Sequence, residues 1–181
     1  MKTIQGDKVK LRPIHKDDVE ILHKWINAPE VAGFWYGRDK PRSLNWVRKH
    51  FEKIIKGKDK SECWMIELES RPIGFMYNTL ASDEEGNSKR RVELDIMIGE
   101  KKEWRKGFAT DALRVMIKYA FEVQKAGRVF LTPLVRNKKA IDLYKKIGFK
   151  EEGVLRYFEE FEGKWEDFLM MSIIRPEYRR V

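Results

Sequence analysis

Trp104-Arg105-Lys106-Gly107-Phe108-Ala109-Thr110 is the stretch that decides the architecture of this chain. Before it stands Arg91-Val92-Glu93-Leu94-Asp95-Ile96-Met97-Ile98, where apolar and polar residues alternate with the period of a strand. After it, Ala109, Ala112, Leu113, Met116 and Ala120 recur at helical spacing. The order is therefore strand, loop Gly99–Lys106, and helix from Gly107. A helix start offers backbone N–H groups without partners and the positive end of the helix dipole. It is a natural phosphate cradle. Gly107 lets the backbone approach a pyrophosphate closely, and Ala109 keeps that approach uncrowded. Thr110 adds a hydroxyl, and Arg105 and Lys106 add charge. Each charge-assisted hydrogen bond is worth roughly 1.5–3 kcal/mol net. Neither the Walker pattern G-x-x-x-x-G-K-[ST] nor the dinucleotide fingerprint G-x-G-x-x-G occurs. A glycine before a helix is also plain punctuation, so the loop alone does not settle the matter.

Working outward, Val9–Pro13 alternates and reads as a first strand. Asp17 or Asp18 caps a helix carrying Val19, Leu22, Trp25 and Ile26. Ala28–Arg42, with two glycines and two prolines, reads as a loop. Ser43 caps a second helix through Val47, Phe51, Ile54 and Ile55. Strands follow at Cys63–Leu68 and Pro72–Leu80, then a polar hairpin loop at Ala81–Lys89, and Arg91–Ile98 as the fourth strand. Beyond the third helix, Val129–Thr132 is a fifth strand. Ala140, Leu143, Tyr144 and Ile147 mark a fourth helix that stops at Gly148. Phe149–Phe161 and Trp165–Ile173 form a closing antiparallel pair turning at Gly163. Helices among strands in this order make an α/β sandwich, and 181 residues fit one domain, 1–181.

A hydrophobic fraction of 42% is enough for a core and argues against global disorder. No apolar run approaches the roughly 20 residues that span a bilayer, and Met1–Val9 is too polar for a signal peptide. The lone cysteine, Cys63, forms no internal disulfide. These features point to a cytoplasmic protein without a membrane partner. The net charge of +9 is unevenly spread. Lys101–Lys150 holds fourteen Lys/Arg against four Asp/Glu, whereas Glu151–Asp167 holds seven Asp/Glu against two Lys/Arg. A positive half beside a negative stretch suits an anionic cofactor and a cationic substrate; a solvated surface explains the same charges. Basic charge also permits a nucleic-acid-binding module, but no recognised RNA or DNA motif appears.

Downstream stands Asn137-Lys138-Lys139-Ala140-Ile141-Asp142-Leu143-Tyr144-Lys145-Lys146-Ile147-Gly148-Phe149. This run resembles the N-x-x-A-x-x-L-Y-x-x-x-G-F segment of the GNAT superfamily of N-acetyltransferases. The Gly107 loop resembles that family's acetyl-CoA motif, [RQ]-x-x-G-x-[GA], and Leu11-Arg12-Pro13-Ile14 resembles its first strand. Trp104 departs from the pattern, taking the place of the Arg or Gln. Tryptophan there is similar to the ribosomal-protein N-terminal acetyltransferase branch. The ending Glu152–Arg156 and Phe161–Asp167 resembles that branch and the spermidine acetyltransferases. The resemblance implies a mixed, mostly antiparallel central sheet with about four helices, splayed between the fourth and fifth strands. It also implies acetyl-CoA as co-substrate, no metal, and an N-acetyltransferase acting on an amine. Related enzymes often pair, so a homodimer is a further implication.

On this resemblance the donor site comprises Met97, Ile98, Trp104, Arg105, Lys106, Gly107, Phe108, Ala109, Thr110 and Asn137. The backbone of Met97 and Ile98 binds the pantetheine arm like an added strand. Asn137 matches an asparagine that hydrogen-bonds coenzyme A. Tyr144 matches a tyrosine near its sulfur, placed to protonate the leaving thiolate. Spacing alone makes Tyr144 part of a core stripe. Glu93 and Asp95 share one face of their strand, and unpaired buried charge is costly. Glu93 resembles the glutamate of the N-terminal and spermidine enzymes, and Asp95 the aspartate of aminoglycoside 6′-N-acetyltransferases. Either is a candidate base, and either can instead pair with Arg90 or Arg91.

A lysine-like amine, with a pKa of about 10.4, costs roughly 4–5 kcal/mol to deprotonate at pH 7. A protein α-amino group costs only about 1 kcal/mol. A polyamine or aminoglycoside therefore needs a stronger base or a desolvating pocket. The acceptor side is expected around Trp35, Tyr36, Tyr157 and Glu159, within a hairpin that also holds Glu160, Glu162, Glu166 and Asp167. A solvated acidic hairpin is the plainer reading. His15, His23 and His50 show no metal or triad spacing, and Cys63 lies outside both motifs. The expected reaction is direct attack of a primary amine (a protein N-terminus or a polyamine-like molecule) on the thioester. An aminoglycoside acceptor is the alternative within the family, and a non-catalytic acyl-CoA sensor is the alternative outside catalysis.

Overall fold

The computed structural model of the chain describes residues 3–34, 40–81, 91–161 and 163–178. These residues carry eight strands and five α-helices, and they gather into two compact units. The first unit takes the chain to Thr79 together with Asp95–Val115; the second takes Leu80–Leu94 and Met116 onward.

In the first unit β1 (Ile4–Gln5), β2 (Lys10–Pro13), β3 (Ser61–Leu68) and β4 (Arg71–Ala81) form an antiparallel series. Register sets Cys63 opposite Tyr77 and Met65 opposite Phe75. Those side chains share a face because strand neighbours alternate. Against that face pack α1 (Val19–Ile26) and α3 (Leu44–Ile55) through the buried residues Leu22, Trp25, Val47 and Phe51. Met97 of β5 (Arg91–Ile98) joins the same cluster. Full burial of such side chains contributes roughly 1.5–3 kcal/mol each. Ser43 caps α3 as expected, its Oγ accepting from the Trp46 N–H at 3.2 Å.

Three expectations are corrected in this unit. The two-residue β1 precedes the first expected strand, and two residues carry no readable period. Pro29–Ala32 forms one helical turn, α2, inside the expected loop, with proline at the position where its missing N–H costs nothing. Asp18 does not cap α1 with its side chain. Its carboxylate instead accepts from the His15 N–H at 2.7 Å and grips both terminal nitrogens of Arg12 at 2.7 Å. Arg12 also donates through Nε to Glu67 at 2.7 Å, and Lys10 reaches the other Glu67 oxygen at 2.7 Å.

In the second unit β5 runs parallel to β6 (Arg128–Leu131), pairing over Arg91–Glu93 only. β6 pairs antiparallel with β8 (Lys164–Ile174), and β8 with β7 (Lys150–Phe161). Helix α5 (Lys138–Lys146) and the second half of α4 (Phe108–Glu122) belong here, with Met116, Phe121, Val129, Ile141 and Met171 buried. The β7–β8 register breaks between Leu155 and Glu159, where Tyr157 has φ +52° and its N–H donates to the Asp167 carboxylate at 2.8 Å. Among the described residues no helix is long and apolar enough to cross a membrane.

Candidate active site

The first unit holds the loop that the sequence singles out. β5 ends at Ile98, a single 3₁₀ turn covers Lys101–Glu103, and α4 begins at Phe108. Arg105 and Gly107 both have positive φ, +62° and +85°. At Gly107 that backbone strongly favours glycine, and it presents the opening turn of α4. The opening turn carries a second constraint from far away in sequence. The Asp111 carboxylate accepts from the N–H groups of Asp7, Lys8 and Val9 at 3.2, 2.8 and 2.9 Å. Asp111 is buried, and these three bonds fix the β1–β2 turn against α4. Lys8 then lays its ammonium on the carbonyl oxygen of Lys106 at 3.2 Å.

Of the charged loop residues, Arg105 and Lys106 are exposed. Lys106 donates to the buried Glu103 at 3.0 Å, and Arg71 donates to its other oxygen at 2.7 Å. Those bonds, Lys106 first, hold the Glu103 carboxyl below its ordinary range. Phe108, Ala109 and Thr110 are half-buried on the first turn of α4. Trp104 donates from its indole nitrogen to the Ile98 carbonyl at 2.7 Å and packs against the core cluster. Trp104 therefore closes the loop onto the end of its own strand, a job that neither Arg nor Gln does with a fused ring.

Met97 is buried and Ile98 half-buried. β4 crosses beside them at Gly74, where a Cβ would fall 2.2 Å from the Met97 carbonyl oxygen. Backbone meets backbone there, which only glycine permits. Asp95 is half-buried on the same strand. The first unit thus brings together Asp95, Met97, Ile98 and the whole of 104–110, with Lys8 and Asp111 added by the fold. Lys8 and Asp111 escaped the sequence argument because their partners lie about a hundred residues away. A basic residue before the first strand was the only available signal.

The second unit carries the other expected residues. Glu93 is half-buried and stands opposite Phe130 in register. The side-chain oxygen of Asn137 caps α5 by accepting from the Ala140 N–H at 3.3 Å, and its own N–H donates to the Leu134 carbonyl at 2.8 Å. Tyr144 is 8% exposed, with its ring 5.9 Å from that of Phe149. Tyr157 is 71% exposed and stacks on Trp165 at 5.8 Å. Glu159 is half-buried and lies opposite Glu166, which Arg136 holds at 3.0 Å. Trp35, Tyr36, Arg90 and Glu162 lie outside the described residues.

The remaining candidates behave as packing. Burial pushes the Cys63 thiol well up, which keeps it protonated inside the first unit's core. His23 touches the Arg42 carbonyl at 2.9 Å, and His50 the Tyr77 hydroxyl at 3.1 Å. Among the described residues there is no group of three or more His, Cys, Asp or Glu side chains able to hold a metal ion.

Comparison with known proteins agrees with this geometry. A family model described as "Acetyltransferase (GNAT) domain" matches residues 8–150. Spermidine N(1)-acetyltransferase of Escherichia coli K12 is 28% identical over 171 residues, covering 94% of this chain and 88% of the relative. Aminoglycoside N(6′)-acetyltransferase type 1 of Klebsiella pneumoniae is 23% identical over 159 residues, covering 84% and 79%. Among solved structures, the spermidine N-acetyltransferase of Vibrio cholerae in complex with CoA and spermine superposes with a TM-score of 0.81 at 23% identity, covering 94% of this chain and 97% of that one.

Proposed function

Because the chain belongs to the GNAT acetyltransferase family, and so is an enzyme that takes its acetyl group from acetyl-CoA, we propose that it acetylates a primary amine on a polyamine-like small molecule or a protein N-terminus. The observation that carries the donor half is the opening of α4. Gly107 at φ +85° offers unhindered N–H groups beside Arg105 and Lys106. The observation that favours a cationic acceptor is the β7–β8 register, which sets Glu159 opposite Glu166 beside the exposed Tyr157–Trp165 stack. Like charges directly opposite repel, and Arg136 donates to Glu166 at 3.0 Å. Carboxylates and aromatic faces together suit an alkylammonium. Relatives named for spermidine and for aminoglycosides support an amine acceptor.

The proposed chemistry runs without a covalent enzyme intermediate. Asp95 or Glu93 accepts the proton of the ammonium. The freed nitrogen attacks the thioester carbonyl, the C–N bond forms, and the C–S bond breaks as the tetrahedral intermediate collapses. Tyr144 gives its hydroxyl proton to the departing thiolate, the nitrogen loses its second proton to solvent as the neutral amide forms, and Tyr144 is reprotonated from solvent. Met97 and Ile98 align the pantetheine arm along β5. Asn137 keeps its carboxamide oxygen on the α5 cap, which leaves the amide N–H₂ as the end that donates to the donor. The Ile98 carbonyl already accepts from Trp104, so any bond to the arm shares that oxygen.

The test is a panel of polyamines, aminoglycosides and N-terminal peptides with acetyl-CoA, following release of free thiol. Turnover with polyamines or peptides is expected. Turnover confined to aminoglycosides moves the acceptor to the alternative class. Acetyl-CoA binding without turnover on any amine makes the chain a sensor.

A further inference from the structure

We propose that Lys8, delivered by the β1–β2 turn, is a ligand of the donor's diphosphate. The inference rests on the reading of the Gly107 loop as the donor site. Its starting point is a position that makes little electrostatic sense without an anion. The Lys8 ammonium lies 3.2 Å from the Lys106 carbonyl, and a Cβ placed on Gly107 would lie 3.1 Å from it. It therefore stands over the backbone that opens α4, at the positive end of the helix dipole, where cations are disfavoured. Its neighbours Arg105 and Lys106 are cations as well. Glu103 answers Lys106 and Arg71, yet among the described residues Lys8 makes no ion pair with a carboxylate.

This placement is built rather than incidental. The backbone of Lys8 is held by its own N–H bond to Asp111, flanked by those of Asp7 and Val9. Gly6 completes the fit, since a Cβ there would fall 2.6 Å from the Asp111 Oδ2 and 2.8 Å from the Val115 side chain. The fold thus fixes the main chain of an exposed lysine so that its flexible stem ends over the phosphate cradle. A dianionic group seated on the α4 N–H groups relieves the crowding of like charge. The ammonium then exchanges the Lys106 carbonyl for a phosphate oxygen, a stronger charge-assisted partner. The nearby backbone is that of the first helical turn, so the group contacted is the diphosphate rather than the ribose 3′-phosphate. Asp111 is a positioning residue in this scheme, acting on the donor only through Lys8 and its turn.

The experiment measures equilibrium binding of coenzyme A, 3′-dephospho-coenzyme A and pantetheine to the full chain and to Lys8→Met, Lys8→Arg and Gly107→Val. Thermal melting verifies that each variant is folded. Lys8→Met is expected to weaken coenzyme A and its dephospho form by the same factor, about tenfold, or about 1.4 kcal/mol. Pantetheine, which lacks the diphosphate, is expected to bind both proteins alike, and Lys8→Arg to retain most of the affinity. Removing one phosphate contact also lowers the salt dependence of coenzyme A binding. The proposal is overturned by undiminished coenzyme A binding to Lys8→Met when Gly107→Val weakens it. It is equally overturned by an equal loss for pantetheine, or by a loss confined to the ligand with the 3′-phosphate. Undiminished binding to Gly107→Val as well defeats the loop reading itself.

Discussion

The indole N–H of Trp104 donates to the carbonyl oxygen of Ile98 at 2.7 Å, tying the loop before α4 to the last residue of β5. Trp104→Phe keeps most of the packing and removes the donor. Stability is expected to fall by about 1 kcal/mol, the net worth of one such bond. The KM for acetyl-CoA rises while kcat stays within about twofold. Urea unfolding and initial-rate kinetics check both parts, and unchanged values of both would break the link between this bond and the loop.

Gly74 and the Met97 carbonyl define a second contact that tolerates no addition. A Cβ at Gly74 lies 2.2 Å from that oxygen and 2.9 Å from the Ile98 Cα, both backbone atoms that cannot rotate aside. Gly74→Ala is expected to cost about 1–3 kcal/mol, the usual penalty of overpacking. A thermal melt coincident with that of the parent chain would show that the strands part there without cost.

Asp111 bonds two N–H groups through Oδ2 and one through Oδ1. Asp111→Asn must turn its NH₂ toward one side or the other, so at least one of the three N–H groups loses its acceptor. The expected loss is about 2 kcal/mol, in the range for hydrogen bonds to a charged group. Hydrogen exchange should quicken selectively at the amides that lose their acceptor, either Asp7 alone or Lys8 and Val9 together. Exchange unchanged at all three amides contradicts the anchoring role.

The Lys10–Arg12–Asp18–Glu67 network makes an acid-stability statement. Burial pushes the Glu67 carboxyl up, but the hydrogen bonds and charges of Lys10 and Arg12 outweigh it, and the net shift is downward from 4.5. A depressed folded-state value means that the contribution is complete above the unfolded value and disappears as pH falls through the folded one. Stability is expected to drop below about pH 4.5, whereas Glu67→Gln is less stable at pH 7 and flatter in acid. Parallel unfolding curves for the two proteins from pH 7 to pH 3 would contradict this.

Tyr144→Phe tests the proton donor. The residue is buried, with its ring 5.9 Å from that of Phe149, and deleting one oxygen preserves its shape. A general acid contributes roughly 10²–10⁴-fold, so kcat falls by at least about 10²-fold with donor affinity unchanged. A kcat within a few-fold of the parent assigns Tyr144 to the core stripe alone.

What could be read in the sequence was what local rules govern. Arg91–Ile98 occupies the same residues in both readings, because strict alternation has one structural solution. The Ser43 cap and the Gly163 turn are equally local. Asp18 was misread because an aspartate before a helix is an ordinary cap. Its actual partner, Arg12, is set by the pairing of β2 with β3, which places Glu67 within reach of the same guanidinium. The loop before α4 was legible in the strand alternation that precedes it and the helical period that follows Gly107. Lys8 was not, because its neighbour Lys106 is 98 residues away. The bulge at Tyr157 was hidden for a related reason: three residues there oppose one, and strict alternation predicts no such step.

The Asp111 clamp also has a consequence for synthesis. Val9 leaves the ribosome 102 residues before its acceptor exists. At roughly 5–20 residues per second, the amino-terminal turn waits about 5–20 s without its anchor. Closing so long a loop comes after the local helices form. During translation, therefore, the turn that carries Lys8 is among the last parts of the first unit to be fixed.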